Sequence, residues 1–181
     1  MNSVRLGYYE SVTRKSTIAI LLLAAALLAL PSGAQACHRQ IEGKAPFEAQ
    51  EQTMLCLVNH ARTTRGLAPL APVRSLIKAA DHKSRDILRC NEFSHEACGR
   101  EFTFWMTRFK YEGCSAGENI AWGSGGLGTP VSIFRAWMKS PGHRENILGP
   151  YEDTGIGLQT GKLEGFPGAH VWTQEFGSRS C

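Results

Sequence analysis

The amino-acid sequence predicts an α+β domain or a three-layer α-β-α domain. Two observations lead to this prediction. Helical periodicity fills the first part of the chain after its leader, over about residues 47–89, whereas short apolar strands cluster near the end, over 155–176. Separate runs of helices and strands do not suit a doubly wound parallel sheet, in which the two kinds of element alternate.

The leader has the pattern of a secretory signal peptide. A basic region precedes the apolar run IAILLLAAALLAL at 18–30, and 34-AQA-36 offers a cleavage site. These 13 apolar residues suit a signal-peptide core and are too few to span a bilayer. We therefore expect residues 1–36 to be removed from an exported protein, periplasmic or extracellular, without a transmembrane segment. Residues 37–46 form a polar lead-in to a single domain over 47–181.

Two amphipathic helices open the predicted domain. The first runs over 47–64 and stops before Gly66, and the second runs over 73–89. A turn punctuated by prolines, 66-GLAPLAP-72, joins them. A loop over 90–99 follows the second helix.

Short elements make up the rest of the domain. Thr129 is a suitable N-cap and Pro130 fits the first helical position, while Pro141 ends this helix near Lys139. The other predicted elements are, in chain order, a third helix over 100–110, a strand over 118–122 and two strands over 155–159 and 171–176.

The glycine-rich stretch 123-GSGGLG-128 fits the dinucleotide-binding pattern G-x-G-x-x-G. A short predicted strand precedes it and a capped helix follows it, as that site requires. However, too little chain remains after it to build a nucleotide-binding sheet, and an exported protein rich in cysteine rarely meets NAD. We interpret the stretch as a connection between a strand and a helix.

The charge pattern argues against nucleic acid as a partner. The chain carries 20 Lys and Arg residues against 16 Asp and Glu residues, and its formal net charge is +4. The basic residues do not form a block or a stripe of the kind that follows a phosphate backbone.

Six cysteines follow the expected cleavage site. In an exported domain an even number indicates up to three disulfides, with fifteen ways to pair them. No C-x-x-C motif is present, which argues against a zinc ribbon or haem attachment. Cys37 directly follows the cleavage site, so a lipidated cysteine is the alternative for that residue. The disulfide candidates are Cys37, Cys56, Cys90, Cys98, Cys114 and Cys181.

Two loop histidines and one glutamate are the candidate functional residues. His95 lies in 92-EFSHEACG-99, Glu118 lies in the short predicted strand, and His143 lies in 140-SPGHRENIL-148. Such a His/Glu/His set suits a divalent transition metal with a position open to water, or acid/base chemistry without a metal. Separations of 23 and 25 residues do not by themselves show that the three side chains meet.

Several blocks in a fixed order carry a family resemblance. The chain resembles the bacterial branch of the CAP superfamily, or SCP domain, which includes cysteine-rich secretory proteins, antigen 5 and plant pathogenesis-related proteins. The resemblance covers about residues 50–177 and implies an α-β-α sandwich with a large cleft. The blocks are 58-VNHARTTRGLAPL-70, 93-FSHEACG-99, 117-GENIAWG-123, 137-WMKSPGHRENIL-148, 155-GIGLQ-159 and 172-WTQEFG-177.

The resemblance also implies a polar site in that cleft. Family members have two His and two Glu residues there, and His95, Glu118 and His143 match three of these positions. Ser140 stands where the fourth member, a glutamate, is expected. Loss of one carboxylate weakens cation binding, so we expect at most a weakly bound divalent cation such as Zn²⁺ at the three remaining residues. We also expect one disulfide among Cys90, Cys98 and Cys114 to clamp the cleft rim.

Two classes of function remain open at this point. The resemblance favours a binding module for a lipid, glycan or protein partner, since a shared fold does not fix an activity. The alternative is a metal-assisted or acid/base hydrolase, protease-like, that uses the same cleft. The sequence supplies no nucleophile with an identifiable base. Four further matches to the family blocks are interpreted as structural hydrogen-bond formers, namely Asn59, Arg62, Arg144 and Asn146.

Overall fold

The structure, a computed structural model, describes Cys37 and residues 47–180. The expected signal peptide, most of the lead-in and Cys181 lie outside the described residues. Those described all belong to one compact unit, Ala36–Cys181. Within them, no helix combines the length and the apolar character that crossing a membrane requires.

Two long helices open the domain, as the periodicity predicts. Helix α1 is Phe47–Thr63 and helix α2 is Arg74–Cys90. Helix α2 ends at Cys90 and is capped by Asn91, which adopts a left-handed conformation with φ 52° and donates its N–H to the carbonyls of the last turn. Asparagine tolerates this conformation better than most residues, so the helix has a local stop signal.

A four-stranded sheet forms the centre of the domain, in the order β1-β3-β4-β2. Strand β4 pairs antiparallel with both β2 and β3, while β1 pairs parallel with β3. The strands are β1 Ala71–Pro72, β2 Ser115–Ser124, β3 Asp153–Leu163 and β4 Phe166–Ser178. Three of them contain and extend the predicted strands, whereas β1 lies where the sequence predicted only a turn.

Three shorter helices complete the fold: α3 Phe104–Arg108, α4 Pro130–Lys139 and α5 Pro141–Leu148. Thr129 caps α4 by accepting from Ser132 N at 3.4 Å, as predicted. The sequence predicted a helix over 100–110, but the first turn of that segment is not helical and the helix begins only at Phe104. Arg100 has an extended backbone, and its guanidinium bonds to the buried carboxylate of Asp86 at 2.6 Å, so a tertiary contact replaces helix there.

Helices cover both faces of the sheet, which confirms the three-layer prediction. On one face, α1, α4 and α5 pack against Trp172 and Phe176 of β4. On the other, Ile87 of α2 packs against Ile120 and Val171. Alternate residues of a strand point to opposite faces, so neighbouring residues of β4 serve two separate cores.

Helix α2 lies directly on the backbone of β3. Gly155 and Gly157 face the helix, and a Cβ atom added to Gly155 would stand 2.0 Å from the carbonyl carbon of Leu76. The corresponding distance from Gly157 to the carbonyl carbon of Ala80 is 2.4 Å. Two side-chain-free positions in β3 therefore set the separation of helix and sheet.

Arg62 joins the end of α1 to two other segments of the chain. Its side chain is 3% exposed and has no carboxylate partner among the described residues; instead it donates to backbone carbonyls. The acceptors are Ala68 at 2.8 Å, Ile147 at 2.9 Å, Gly149 at 2.9 Å and Tyr151 at 3.1 Å. The structure thus supports the structural interpretation of Arg62, as it does for Asn59, which both donates to and accepts from the Leu70 backbone.

Candidate functional site

The outer strand β2 brings the candidate residues together. His95 reaches it from the loop after α2, and His143 reaches it from the first turn of α5. His95 Nδ1 lies 2.6 Å from Glu118 Oε1. We call His95, Glu118 and His143 the β2-edge site.

The pair formed by His95 and Glu118 combines an exposed ring with a buried carboxylate. The His95 side chain is 52% exposed, whereas that of Glu118 is 1% exposed. A carboxylate can only accept, so the imidazole donates from Nδ1 and its Nε2 atom stays available. The contact therefore fixes both the tautomer and the direction of the His95 ring.

Lys83 of α2 lies beneath this pair. Its side chain is 1% exposed, and its Nζ atom lies 3.9 Å from Glu118 Oε2. The same ammonium donates to the backbone carbonyl of His95. Lys83 thus holds the carboxylate and the histidine loop at once.

Glu175 places a second carboxyl group against Glu118. The two residues are direct partners in the antiparallel pairing of β2 and β4. Glu175 is fully buried, and burial followed by the nearby charge of Glu118 raises its pKa well above the usual range, an effect that Lys83 partly opposes. Two charged carboxylates offer only acceptors, and neither Glu175 oxygen then has a partner among the described residues. A proton on Glu175 supplies the missing donor.

His143 approaches β2 from the opposite face of the sheet. Burial, followed by the nearby charge of His95, lowers the pKa of His143, so the two imidazoles lie close enough to influence each other. Asn119 donates to the His143 carbonyl at 3.1 Å, and Asn146 donates to Asn119 at 2.9 Å. Hydrogen bonds therefore dock the first turns of α5 on β2, while Arg144 is exposed on the outer side of this helix.

Side chains also close the free edge of β2. Along this edge, the backbone carbonyls of every second residue over 116–120 each accept a hydrogen bond from a side chain. The pairs are Tyr151 to Ala116 at 3.3 Å, Asn146 to Glu118 at 3.2 Å and Trp137 to Ile120 at 3.3 Å.

The donor set does not fit the divalent cation that the family resemblance implies. Across Cys37 and residues 47–180, no three His, Cys, Asp or Glu side chains are arranged to hold a metal ion. Glu118 already contacts His95 through one oxygen and Lys83 through the other. Ser140 supplies no further anion, and its hydroxyl forms no capping bond with α5. The expected weak Zn²⁺ site thus lacks its ligand set.

One disulfide bond closes the loop next to the site, and the other described cysteines are bonded as well. Cys90 and Cys98 are joined, which gives a bridge within the predicted cluster and closes the loop that carries His95. Cys37 is bonded to Cys56, so its sulfur is engaged in a disulfide and not in a lipid anchor. Cys114 is disulfide-bonded as well.

Removing the bridge next to His95 is expected to loosen its loop. Replacing both Cys90 and Cys98 by serine should lower the free energy of unfolding by about 2 kcal/mol, because a short closed loop loses its constraint in the unfolded chain. Amide hydrogen exchange over residues 91–97 should accelerate. The matched control replaces Cys37 and Cys56 by serine and should leave exchange in that loop unchanged. Equal protection of the loop in both variants would contradict its anchoring role.

Sequence reasoning did not identify Lys83 and Glu175. Lys83 lies seven residues after Leu76 and three after Ala80, so it occupies the apolar face of α2. Glu175 precedes Phe176 in the buried second half of strand β4, over 171–178. A charged residue at a core position is the signal that could have identified both, because such groups are buried only with partners.

Comparison with known proteins finds relatives of this chain. A curated relative, uncharacterized protein YkwD of Bacillus subtilis, is 34% identical over 150 residues, which are 81% of this chain and 54% of the relative. The chain thus spans about half the length of that relative.

Solved structures show the same fold. An extracellular protein containing an SCP domain, from Bacillus anthracis, aligns with a TM-score of 0.61 and 25% identity over 76% of this chain and 45% of its own. An outer surface protein of Borrelia burgdorferi aligns with a TM-score of 0.63 and 17% identity over 76% of this chain and 98% of its own. The model of the CAP, or cysteine-rich secretory protein, family matches residues 55–176, most of the described domain, and the chain belongs to that family.

Proposed function

We propose that the domain is an exported binding module whose partner, a lipid, glycan or protein, contacts the β2-edge site. One observation carries this proposal: the buried carboxylate of Glu118 bonds to His95 through Oε1, while its Oε2 atom lies 3.9 Å from the ammonium of Lys83. The exposed ring of His95 is therefore held as a rigid recognition group. The disulfides support export, as do the extracellular and outer-surface descriptions of the two similar structures.

The site lacks the parts of a nucleophilic enzyme. Both imidazoles are free of hydrogen bonds from Ser, Thr or Cys side chains of the described residues, and Ser94 instead accepts from the Glu96 backbone. Each described cysteine is in a disulfide. A covalent mechanism needs a hydroxyl or thiol beside a base, so these observations favour binding over that kind of turnover.

Acid/base hydrolysis is the second candidate function, and the short contact between His95 and Glu118 favours it. A buried carboxylate that holds Nδ1–H leaves Nε2 free to take a proton from a water molecule. Such an enzyme would use water directly as the nucleophile. The two candidates differ in whether the bound partner is altered.

A titration followed by NMR tests the proposal. Protein labelled with ¹⁵N is titrated with phosphatidylcholine/phosphatidylglycerol vesicles, with N-acetylglucosamine oligosaccharides and with a pool of random peptides. We expect one of these probe classes to shift the ring signals of His95 and His143. The variants His95→Ala and His143→Ala should each weaken that binding at least about tenfold, or about 1.4 kcal/mol.

The control variant is His60→Ala, which changes a histidine at the end of α1. It should bind as the wild type does. Binding that is unchanged in all three variants, or shifts confined to other surfaces, would contradict the proposal. Cleavage of the bound probe that disappears in His95→Ala would establish the acid/base hydrolase instead.

A further inference from the structure

A positive charge, the buried ammonium of Lys83, already lies beside the β2-edge site. We propose that the buried ammonium of Lys83 is the resident cation of this site, where it balances the charge of Glu118, anchors the His95 loop and takes the place of a divalent metal ion. This inference concerns how the site is built, so it holds for either function.

Geometry gives Lys83 contact with two parts of the site. Its ammonium lies 3.9 Å from Glu118 Oε2 and donates to the carbonyl of His95. Glu118 in turn holds the His95 ring at 2.6 Å. The side chain and the backbone of one histidine are therefore both tied, directly or through Glu118, to one ammonium group.

Charge balance agrees with the contacts. Lys83, Glu118 and Glu175 are all buried, and the exposed His95 ring is the other titratable group bonded to them among the described residues. Buried charges need partners, and two carboxylates facing one ammonium would leave one negative charge uncompensated. A protonated Glu175 removes that excess, in agreement with its raised pKa, and donates to the Glu118 carboxylate.

A divalent metal ion would have to share Glu118 with His95 or with Lys83. To bind Glu118 it would have to displace the His95 ring from one oxygen or approach Lys83 at the other. Two cations placed together in a medium of low dielectric constant repel strongly. Lysine is fixed to the chain, so the site is complete as soon as the domain has folded.

Four variants test the proposal: Lys83→Met, Glu118→Gln, the double variant with both changes, and Glu175→Gln. Thermal unfolding is measured with EDTA and with added Zn²⁺. Each of the first two changes should lower the unfolding midpoint by on the order of 10 °C, because it leaves a buried charge without its partner. The double variant removes both charges and should recover more than half of that loss.

Glu175→Gln is the matched control. An amide is close in shape to a protonated carboxyl group and also donates, so the midpoint should change by less than about 3 °C. The wild type should unfold at the same temperature with EDTA and with Zn²⁺. The His95 ring signal should move in Lys83→Met and stay in place in Glu175→Gln.

Three results would overturn the proposal. One is a Zn²⁺-induced rise of the wild-type midpoint that is lost in Glu118→Gln, since a metal would then be the resident cation. Another is a double variant no more stable than Lys83→Met. The last is a loss in Glu175→Gln as large as that in Glu118→Gln. If Lys83→Met fails to fold and the double variant folds, that recovery supports the pairing; if neither folds, the zinc and Glu175→Gln measurements decide.

Discussion

Gly155→Ala is expected to lower the free energy of unfolding by more than about 4 kcal/mol, which is enough to unfold many domains. The added methyl group would stand 2.0 Å from the Leu76 carbonyl carbon and 2.2 Å from the Ile77 nitrogen. Both are backbone atoms of α2, so no side-chain rotation relieves the overlap. The helix must move away from the sheet and disturb the packing along its whole length. Urea unfolding followed by circular dichroism measures the loss.

Gly161→Ala provides the matched control on the same strand. There the added methyl group meets only the end of the Leu88 side chain, at 3.2 Å. Leucine can change its rotamer slightly, so we expect a loss of less than about 1.5 kcal/mol. Similar losses in the two variants would show that α2 is not held at backbone distance by Gly155.

Arg62→Met is expected to lower the free energy of unfolding by about 4 kcal/mol, the second large effect. Four backbone carbonyls lose a charged donor, and each buried acceptor left unpaired costs about 1–3 kcal/mol, although some gain water. Lysine should not restore the loss, because one ammonium lacks the planar fork that reaches carbonyls in two separate segments. Urea unfolding of Arg62→Met and Arg62→Lys tests both expectations.

Arg65→Met is the control for this experiment. Arg65 lies in the exposed turn after α1 and donates to the Ala61 carbonyl in the last turn of that helix at 2.8 Å. We expect its loss to cost less than about 1 kcal/mol. If Arg62→Met were no more damaging than Arg65→Met, the segment after α5 would have to be held by other contacts.

Local signals explain which parts of the fold could be predicted. Helix α4 has a capping threonine, a proline in its first turn and a proline after its end, and its predicted bounds hold. Strand β1 has only two residues, and its pairing with Asp153 and Thr154 depends on chain about 80 residues away. Pairing at that distance leaves no periodic pattern in the sequence, so this strand was predicted as a turn.

The candidate site shows the same division. Sequence context and then the family resemblance selected His95, Glu118 and His143, and the structure brings them to one strand edge. The sequence cannot select Lys83 or Glu175 in the same way, because the importance of these two residues comes from their burial and from each other's charge. Whether a lysine on an apolar helix face bends outward to water or stays inside depends on the partner that the sheet presents. That partner is a glutamate more than thirty residues later in the chain.

The side-chain hydrogen bonds along the free edge of β2 have a consequence for aggregation. A free edge strand is a template on which another chain can add a strand, and this is a common start of aggregation. Along β2 the carbonyls of Ala116, Glu118 and Ile120 are already bonded to side chains of the same molecule. An incoming strand would have to break these bonds first, so the edge that displays the site is protected against sheet extension.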